Sequence, residues 1–473
     1  MIAVPGIFDR PRVVHLVGAG GVGMSSLGQA LLHSGHRVSG SDAADSERTR
    51  RLARIGARIS IGHDASNVPE ETDLFVVTAA IDPRNPEVAV ALARGIPIVK
   101  YAKALGELMS REHGVCVAGC HGKTTTTGLM TTVLVRAGLD PTMVLGGDAG
   151  ALGGNYRPGG GRYFVAEACE FDRSFLNLRP RSAIVTNVDR DHLDYYRDLE
   201  EIQGAFRDFA RLIPSEGFLA VLNEHERVFR DPAITCQVET FGLRGNADWT
   251  AADWRRTDGV TYFTVRHKGE YEGLFELRIA GLHNICNCLG VLAVARHLGL
   301  DFDRVVRPAL MEYRGVDRRM QAKYEGHGVL VLDDYAHHPR EIAAVLSTLR
   351  EEYPGRRIVA VFQPHQASRT KQHLNEFADA LKYADRVFVP DIYLARDSEE
   401  DRRSVHAIDL VRTAANRGVD VMYAERLEDV APLILSEIRV GDLVVTMGAG
   451  SVWEVSSDLA DRLRTFDHEV IAP

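Results

Sequence analysis

The sequence predicts an α/β protein of three domains, and three observations carry that expectation. Short β-branched runs alternate with helical patterns along nearly the whole chain. Two separate glycine-rich turns each sit between a predicted strand and a predicted helix. The length of 473 residues suits about three domains at roughly 100–200 residues each. The expected plan is an N-terminal Rossmann-like domain over 1–108, a central domain built on a second parallel sheet over 109–318 and a C-terminal Rossmann-like sheet over 319–473.

In the first region VVHLVG (13–18) is a strand, MSSLGQALLHSG (24–35) a helix ended by glycine, and RVSGSD (37–42) the next strand. LFVVTAA (74–80) and IPIVK (96–100) continue the rhythm. The second region opens with VCVAG (115–119), a turn and a helix reaching Gly138. RYFVAEA (162–168), RSAIVTNV (181–188) and GFLAVLN (217–223) follow as buried strands. Residues 236–280 alternate apolar and polar positions and predict β-hairpins, and 284–299 predict a helix. In the third region VLVLDDYA (329–336), RIVAVFQPH (357–365), RVFVPDIY (386–393), VDVMYA (419–424) and DLVVTMGAG (442–450) predict one more parallel sheet.

Composition narrows the partners. The net charge is −9 and no basic run stands out, which gives no electrostatic case for nucleic acid. No apolar stretch approaches the roughly 20 residues that span a bilayer, and the N-terminus lacks the order of a signal peptide. A cytoplasmic protein without membrane partners is expected. The six cysteines, Cys116, Cys120, Cys169, Cys236, Cys286 and Cys288, show no zinc-like pairing and read as free thiols.

Gly119-Cys120-His121-Gly122-Lys123-Thr124 lies between a strand and a Thr-rich helix. Backbone N–H groups and a helix N-terminus there can cradle phosphates. Lys123 would reach the β- and γ-phosphates, and the Thr124 hydroxyl would hold Mg2+. The strict phosphate-loop pattern needs glycine where Val117 stands, so this is a shortened variant. Gly18-Ala19-Gly20-Gly21-Val22-Gly23, with Asp42 about 20 residues on, forms a second pyrophosphate-type loop. Alone it would suit a nicotinamide oxidoreductase, but a Lys-Thr phosphate loop has no part in hydride transfer. A scaffold that has lost its chemistry is opposed by intact Lys123, Thr124, Glu167, His192 and Asp334.

GCHGKTTTTGLM resembles the shortened phosphate loop of the Mur ligases. VHLVGAGGVGMSSLGQALLHSGHRVSGSD, EACEFDRSFLNLRP, VTNVDRDHLDYY, GLHNICN, GVDRRMQ, DDYAHHPREI and FQPHQASRT resemble further motifs of that family, in its order. The resemblance implies an ATP- and Mg2+-dependent ligase of cell-wall precursor synthesis, closest to the branch that adds L-alanine to UDP-N-acetylmuramate. A tripeptide-recycling ligase on the same sugar, or a ligase for L-serine or glycine, is the alternative. It implies that Gly119, Cys120, His121, Gly122, Lys123, Thr124, Thr125, Asn284, Asn287, Arg319 and Asp334 bind ATP. Asn284 and Asn287, three apart, would face adenine, with a helix N-cap as the other reading of Asn284. Asp334 would hold the ribose. Thr124, Glu167 and His192 would hold the cations. Gly18, Gly20, Gly21, Gly23, Met24, Ser25 and Asp42 would take the UDP-sugar. His338 would stand beside the reacting groups, as a general base or a positioning group. Lys123, Arg319 and His338 form the catalytic set.

Two departures follow from the resemblance. Several relatives carry a carbamylated lysine fifteen residues after the metal histidine; Arg207 stands there, as expected of the alanine-adding branch. The family segment FQPH is followed by two arginines that face the amino acid's carboxylate; here the first is Gln366 and the second Arg369. Lys103 or Arg396 could restore the missing charge. Cys120 replaces a usual threonine, and a helix N-terminus and Lys123 would lower its pKa. A monomer or weak homodimer is expected, with the three domains closing on ligand.

Overall fold

The computed structural model describes residues 6–78, 81–193, 195–395 and 397–469, the last four without their side chains. Among them the chain forms two compact units, Met1–Val316 and Asp317–Pro473. Arg396 lies outside the described residues.

The first unit holds two sheets. β1 (Val13–Val17), β2 (Arg37–Asp42), β3 (Arg58–Ile61), β4 (Leu74–Val77) and β5 (Ile98–Lys100) are all parallel, in the order β3-β2-β1-β4-β5. The order reverses at β1, and the glycine loop leaves β1 at that switch point, where open α/β sheets bind ligands.

The second sheet has ten strands. They are β6 (His113–Ala118), β7 (Thr142–Val144), β8 (Tyr156–Arg157), β9 (Tyr163–Ala168), β10 (Pro180–Val185), β11 (Phe218–Leu222), β12 (Gln237–Gly242), β13 (Trp249–Thr257), β14 (Val260–His267) and β15 (Glu270–Leu277). Their order is β15-β14-β13-β12-β11-β10-β6-β9-β7-β8. The strands from β12 to β7 are parallel and lie beneath helices, so they read as apolar runs. Residues 249–277 form the expected antiparallel hairpins, β13 to β15. The start of that stretch differs: β12 pairs parallel to β11. Helices Lys123–Arg136 and Leu282–His297 contribute Leu129, Met130, Val133, Leu289 and Val291 to the core on one face. Phe206 and Phe209 of helix Leu199–Ala210 fill the other.

That second face explains why two sheets make one unit. Ala30, from the helix Val22–His33, and Leu105 and Met109, from the helix Tyr101–Met109, share a cluster with Cys116 and Phe164 of the central sheet. Apolar side chains of the first sheet's helices are thus buried against the second sheet, at roughly 25 cal/mol per Å2 removed from water.

The second unit is one six-stranded sheet: β16 (Gln321–Gly326), β17 (Val329–Asp334), β18 (Ile358–Phe362), β19 (Arg386–Val389), β20 (Val421–Tyr423) and β21 (Leu443–Met447), ordered β16-β17-β21-β18-β19-β20. β17, β18 and β21 are buried throughout. The sheet is parallel as expected, except that β16 adds an antiparallel edge.

Gly106 shows how closely the elements of the first unit approach. A Cβ there would lie 1.9 Å from the Asn177 carbonyl oxygen, a backbone atom that cannot swing aside. Gly106→Ala is therefore expected to lower stability by about 1–3 kcal/mol. Urea unfolding followed by circular dichroism checks it; an unchanged midpoint would contradict the close approach.

Candidate functional site

The phosphate loop leaves β6 and enters the helix Lys123–Arg136, whose N-cap is Gly122 in the left-handed region, φ 81°. Only glycine fits comfortably, because a Cβ would also press on the Asn287 side chain at 2.9 Å. The loop is held from β10: Thr186 Oγ1 and Asn187 Nδ2 donate to the His121 carbonyl, and the His121 N–H donates to Asn187 Oδ1 at 2.9 Å. One loop N–H is thus spent internally.

Lys123 Nζ donates to the carbonyls of Gly119 and Cys120 and to both oxygens of Glu170, at 3.2 and 3.0 Å. Burial works to lower the Lys123 pKa, but the Glu170 carboxylate prevails and holds the ammonium above its ordinary value. Glu170 is 1% exposed and also lies 3.6 Å from His192 Nε2. Asp191 stands 3.9 Å from the same nitrogen, so Glu170, Asp191 and His192 form a ligand cluster of the kind that holds a cation. His192 occupies the left-handed region at φ 53°, uncommon for a residue other than glycine. His192 is the residue of this cluster expected from the sequence; Glu170 and Asp191 were not singled out there. The signal was present in the EACEFD and DRDH motifs.

Glu167 is the penultimate residue of β9 and accepts from the Gly146 N–H at 2.6 Å. Gly147 packs beside Thr124: a Cβ there would stand 3.3 Å from Thr124 Cγ2. The structure therefore brings Thr124 and Glu167 to one place, on either side of the Gly146–Gly147 turn. A hydroxyl and a carboxylate are oxygen donors that suit a hard divalent cation. Thr125 follows on the same helix, and its carbonyl accepts from the Tyr313 hydroxyl at 2.9 Å.

Asn284 and Asn287 share a helix face as expected, with Asn287 Nδ2 donating to Asn284 Oδ1 at 3.2 Å. The capping alternative fails: the N-cap is Gly281, and Asn284 sits inside the first turn with Nδ2 donating to the Ala280 carbonyl.

In the glycine loop, the N–H groups of Gly18 and Ala19 bond the Ser41 carbonyl, and that of Gly20 bonds Asp42 Oδ2 at 2.8 Å. Asp42 therefore braces its own loop. Gly21 is the N-cap of the helix Val22–His33, with no side-chain cap on the first turn. Gly23 packs on the Tyr101 ring. Met24 and Ser25 are buried rather than open to the loop's mouth.

In the second unit the expected residues gather where β17, β18 and β21 end. Asp334 is buried and accepts from the N–H groups of Met320 and Ala336. Burial pushes its carboxyl up to about 6, against the pull of Arg319. Arg319 and Arg318 both lie over the Tyr335 ring. Arg318, missed in the sequence, bonds Asp333 and the carbonyls of Gly448 and Gly450, and so ties β17 to the loop after β21. His338 caps the helix Pro339–Glu352: its Nδ1 accepts from the Arg340 N–H, and its own N–H donates to Glu341. Gln366 is a buried N-cap at φ 68°, on the short helix that carries Arg369. Lys103, in the first unit, is paired with Glu107 at 2.9 Å.

One expectation is corrected. Cys120 is not activated. Its thiol is buried, accepts from the Asp189 N–H and donates to the Asp189 carbonyl. Burial, and then the charges of Glu170 and Asp191, push its pKa well up, and Lys123 does not overcome them. All six cysteines are free thiols.

The fold and site define a nucleotide-dependent three-sheet α/β protein with a shortened phosphate loop. The Mur ligase family, catalytic domain matches residues 13–113; the Mur ligase middle domain, 117–295; and the Mur ligase, glutamate ligase domain, 318–450. The chain belongs to the Mur ligase family. It is 42% identical to the UDP-N-acetylmuramate–L-alanine ligase of Caldanaerobacter subterraneus subsp. tengcongensis, over 94% of this chain and 97% of that one. The same identity holds for the enzyme of that name from Syntrophotalea carbinolica, over 98% and 100%. Among solved structures, UDP-N-acetylmuramate-alanine ligase from Thermotoga maritima matches with a TM-score of 0.82 at 28% identity, over 96% of this chain and 100% of that one. A murein peptide ligase from Psychrobacter arcticus matches at 0.74 and 25%, over 96% and 98%. Among the described residues no helix is long and apolar enough to cross a membrane.

The burial of Cys120 makes a direct prediction. Iodoacetamide at pH 8, followed by peptide mass spectrometry, should label Cys169 before Cys120, because Cys169 is an exposed residue even though burial of its thiol pushes its pKa up to about 11. Faster labelling at Cys120 would contradict the packing around Asp189.

Proposed function

We infer that this chain is an ATP-dependent ligase that joins L-alanine to the lactyl carboxylate of UDP-N-acetylmuramate, releasing ADP and phosphate. The observation that carries the reading is likeness over full length: 42% identity across 94% of the chain to an enzyme of that name. The geometry of the phosphate loop and of the β17, β18 and β21 edge supports it.

A carboxylate is a poor electrophile, since its leaving group would be oxide. Transfer of the ATP γ-phosphoryl to a carboxylate oxygen gives an acyl phosphate and ADP. The neutral amine of alanine then attacks the carbonyl carbon, and phosphate leaves from the tetrahedral intermediate. Lys123 leaves Glu170 for the β- and γ-phosphates and offsets charge on the moving group. The backbone of Gly119, Cys120, His121 and Gly122 cradles the phosphates, with Thr125 behind them on the helix. Thr124 and Glu167 would hold Mg2+, which would supply positive charge to neutralise the phosphates. Glu170, Asp191 and His192 supply a second donor set, in which the imidazole is the less usual partner for Mg2+. Asn284 and Asn287 face adenine, Asp334 takes the ribose and Arg319 a phosphate. Gly18, Gly20, Gly21 and Gly23 present the glycine loop to the UDP pyrophosphate. Met24, Ser25 and Asp42 shape that loop from behind. His338 orients the reacting groups. Gln366 and Arg369 meet the amino acid's carboxylate.

Phosphate release with UDP-N-acetylmuramate and a panel of amino acids and peptides tests the reading. Alanine is expected to be the best acceptor, with serine and glycine weaker. Faster turnover with a preformed tripeptide would replace this reading with the recycling ligase. Lys123→Ala should lower turnover by about 10²-fold or more in a folded protein; near-normal turnover would remove the loop from the chemistry. Gln366→Arg should lower the KM for alanine, because a guanidinium grips a carboxylate with two charge-assisted bonds. An unchanged KM would place Gln366 away from that carboxylate.

A further inference from the structure

The loop between β7 and β8 touches both halves of the first unit. Its ends are tied together: the Leu145 N–H donates to the Asn155 carbonyl at 2.9 Å, and Ala149 and Gly154 exchange backbone bonds. At its start, Gly146 bonds Glu167 and Gly147 packs on Thr124. In its middle, Asp148 pairs with Arg48 at 3.0 Å, on the helix Glu47–Arg54 that follows Asp42. At its end stands Asn155, 1% exposed. Its Nδ2 donates to the Val22 carbonyl and to Ser25 Oγ, both at 2.8 Å. Its Oδ1 accepts from Gln29 Nε2 at 3.2 Å, and its carbonyl accepts from Ser26 Oγ at 3.0 Å.

Val22, Ser25, Ser26 and Gln29 all lie on the helix that opens at the glycine loop. Asn155 therefore fixes that helix by four bonds along two of its turns. About ten residues earlier, the same loop bonds the carboxylate assigned to the cation and packs beside the methyl group of Thr124. We propose that Asn155 is a positioning residue: it sets the register of the glycine-loop helix, and with it the sugar's carboxylate, against the Thr124–Glu167 pair. The inference rests on the ligase reading above. An amide suits the place because it donates twice and accepts once there; an apolar side chain of equal size would leave the Val22 carbonyl and the Ser25 hydroxyl without that donor. Positioning of this kind acts on the rate, since a shift of about 1 Å between reacting groups can cost on the order of 10² in turnover.

The test compares wild type, Asn155→Ala and Gln29→Leu. The second variant removes one of the four bonds and remains informative if the first fails to fold. Calorimetry measures the binding of ADP and of UDP-N-acetylmuramate separately, and phosphate release gives kcat. The expected result is binding of each ligand alone within about 3-fold of wild type, with kcat reduced about 10–100-fold in Asn155→Ala and several-fold in Gln29→Leu. Unchanged kcat in both folded variants would overturn the proposal. So would parallel loss of both affinities and of thermal stability, the mark of a purely structural amide. If wild type itself releases no phosphate with this sugar and alanine, the ligase reading has failed instead.

Discussion

The ion pair between Lys123 and Glu170 is the interaction on which the candidate site depends. Both groups are largely withdrawn from water, and each charge there is tolerable only because the other is present. Around it the structure supplies further bonds: the Gly119 and Cys120 carbonyls on the lysine and His192 beside the carboxylate. The Tyr196 hydroxyl adds a bond to the Glu170 carbonyl at 2.6 Å. The pair also sets the chemistry nearby. It holds the Lys123 ammonium charged, and it leaves Cys120 facing two carboxylates with no net positive field to activate its thiol.

A phosphate arriving at the loop meets a lysine already occupied by a carboxylate. On the proposed ligase reading, binding would be an exchange of one anion for another, at a place where cations would join Glu170 as Lys123 leaves. The arrangement ties three things together: the ammonium that follows the phosphate, the cation ligands that Glu170, Asp191 and His192 offer, and the Gly146–Gly147 turn that keeps Glu167 in place. The same turn continues into the loop that ends at Asn155, so the central sheet and the glycine-loop helix are built as one piece.

Much of this was legible in the sequence, for reasons that are local. Parallel strands such as β17, β18 and β21 are buried on both faces and therefore read as continuous apolar runs. The phosphate loop and glycine loop declare themselves because positive φ and close backbone approach demand glycine at fixed spacing. What stayed hidden depends on contacts across long stretches of chain. Glu170 is 47 residues from Lys123, and Asp189 is 69 from Cys120. Asn155 is 129 from Ser26. For Asp189 and Asn155 no local pattern distinguishes such partners from other polar residues, and the motif that holds Glu170 marks the segment but not its pairing with Lys123. β16, QAKYEG, was missed because an edge strand half open to water carries little apolar signal. Cys120 was misjudged because a helix N-terminus and a lysine are visible in sequence, while the burial and the two carboxylates that outweigh them are not.

The exchange at Lys123 can be measured most directly as the affinity for ATP without divalent metal, by calorimetry, in wild type and in Glu170→Gln. If Glu170 occupies the lysine that phosphate must win, removing its charge should tighten metal-free ATP binding by about 10-fold or more. Equal or weaker binding in a folded Glu170→Gln protein would contradict the account.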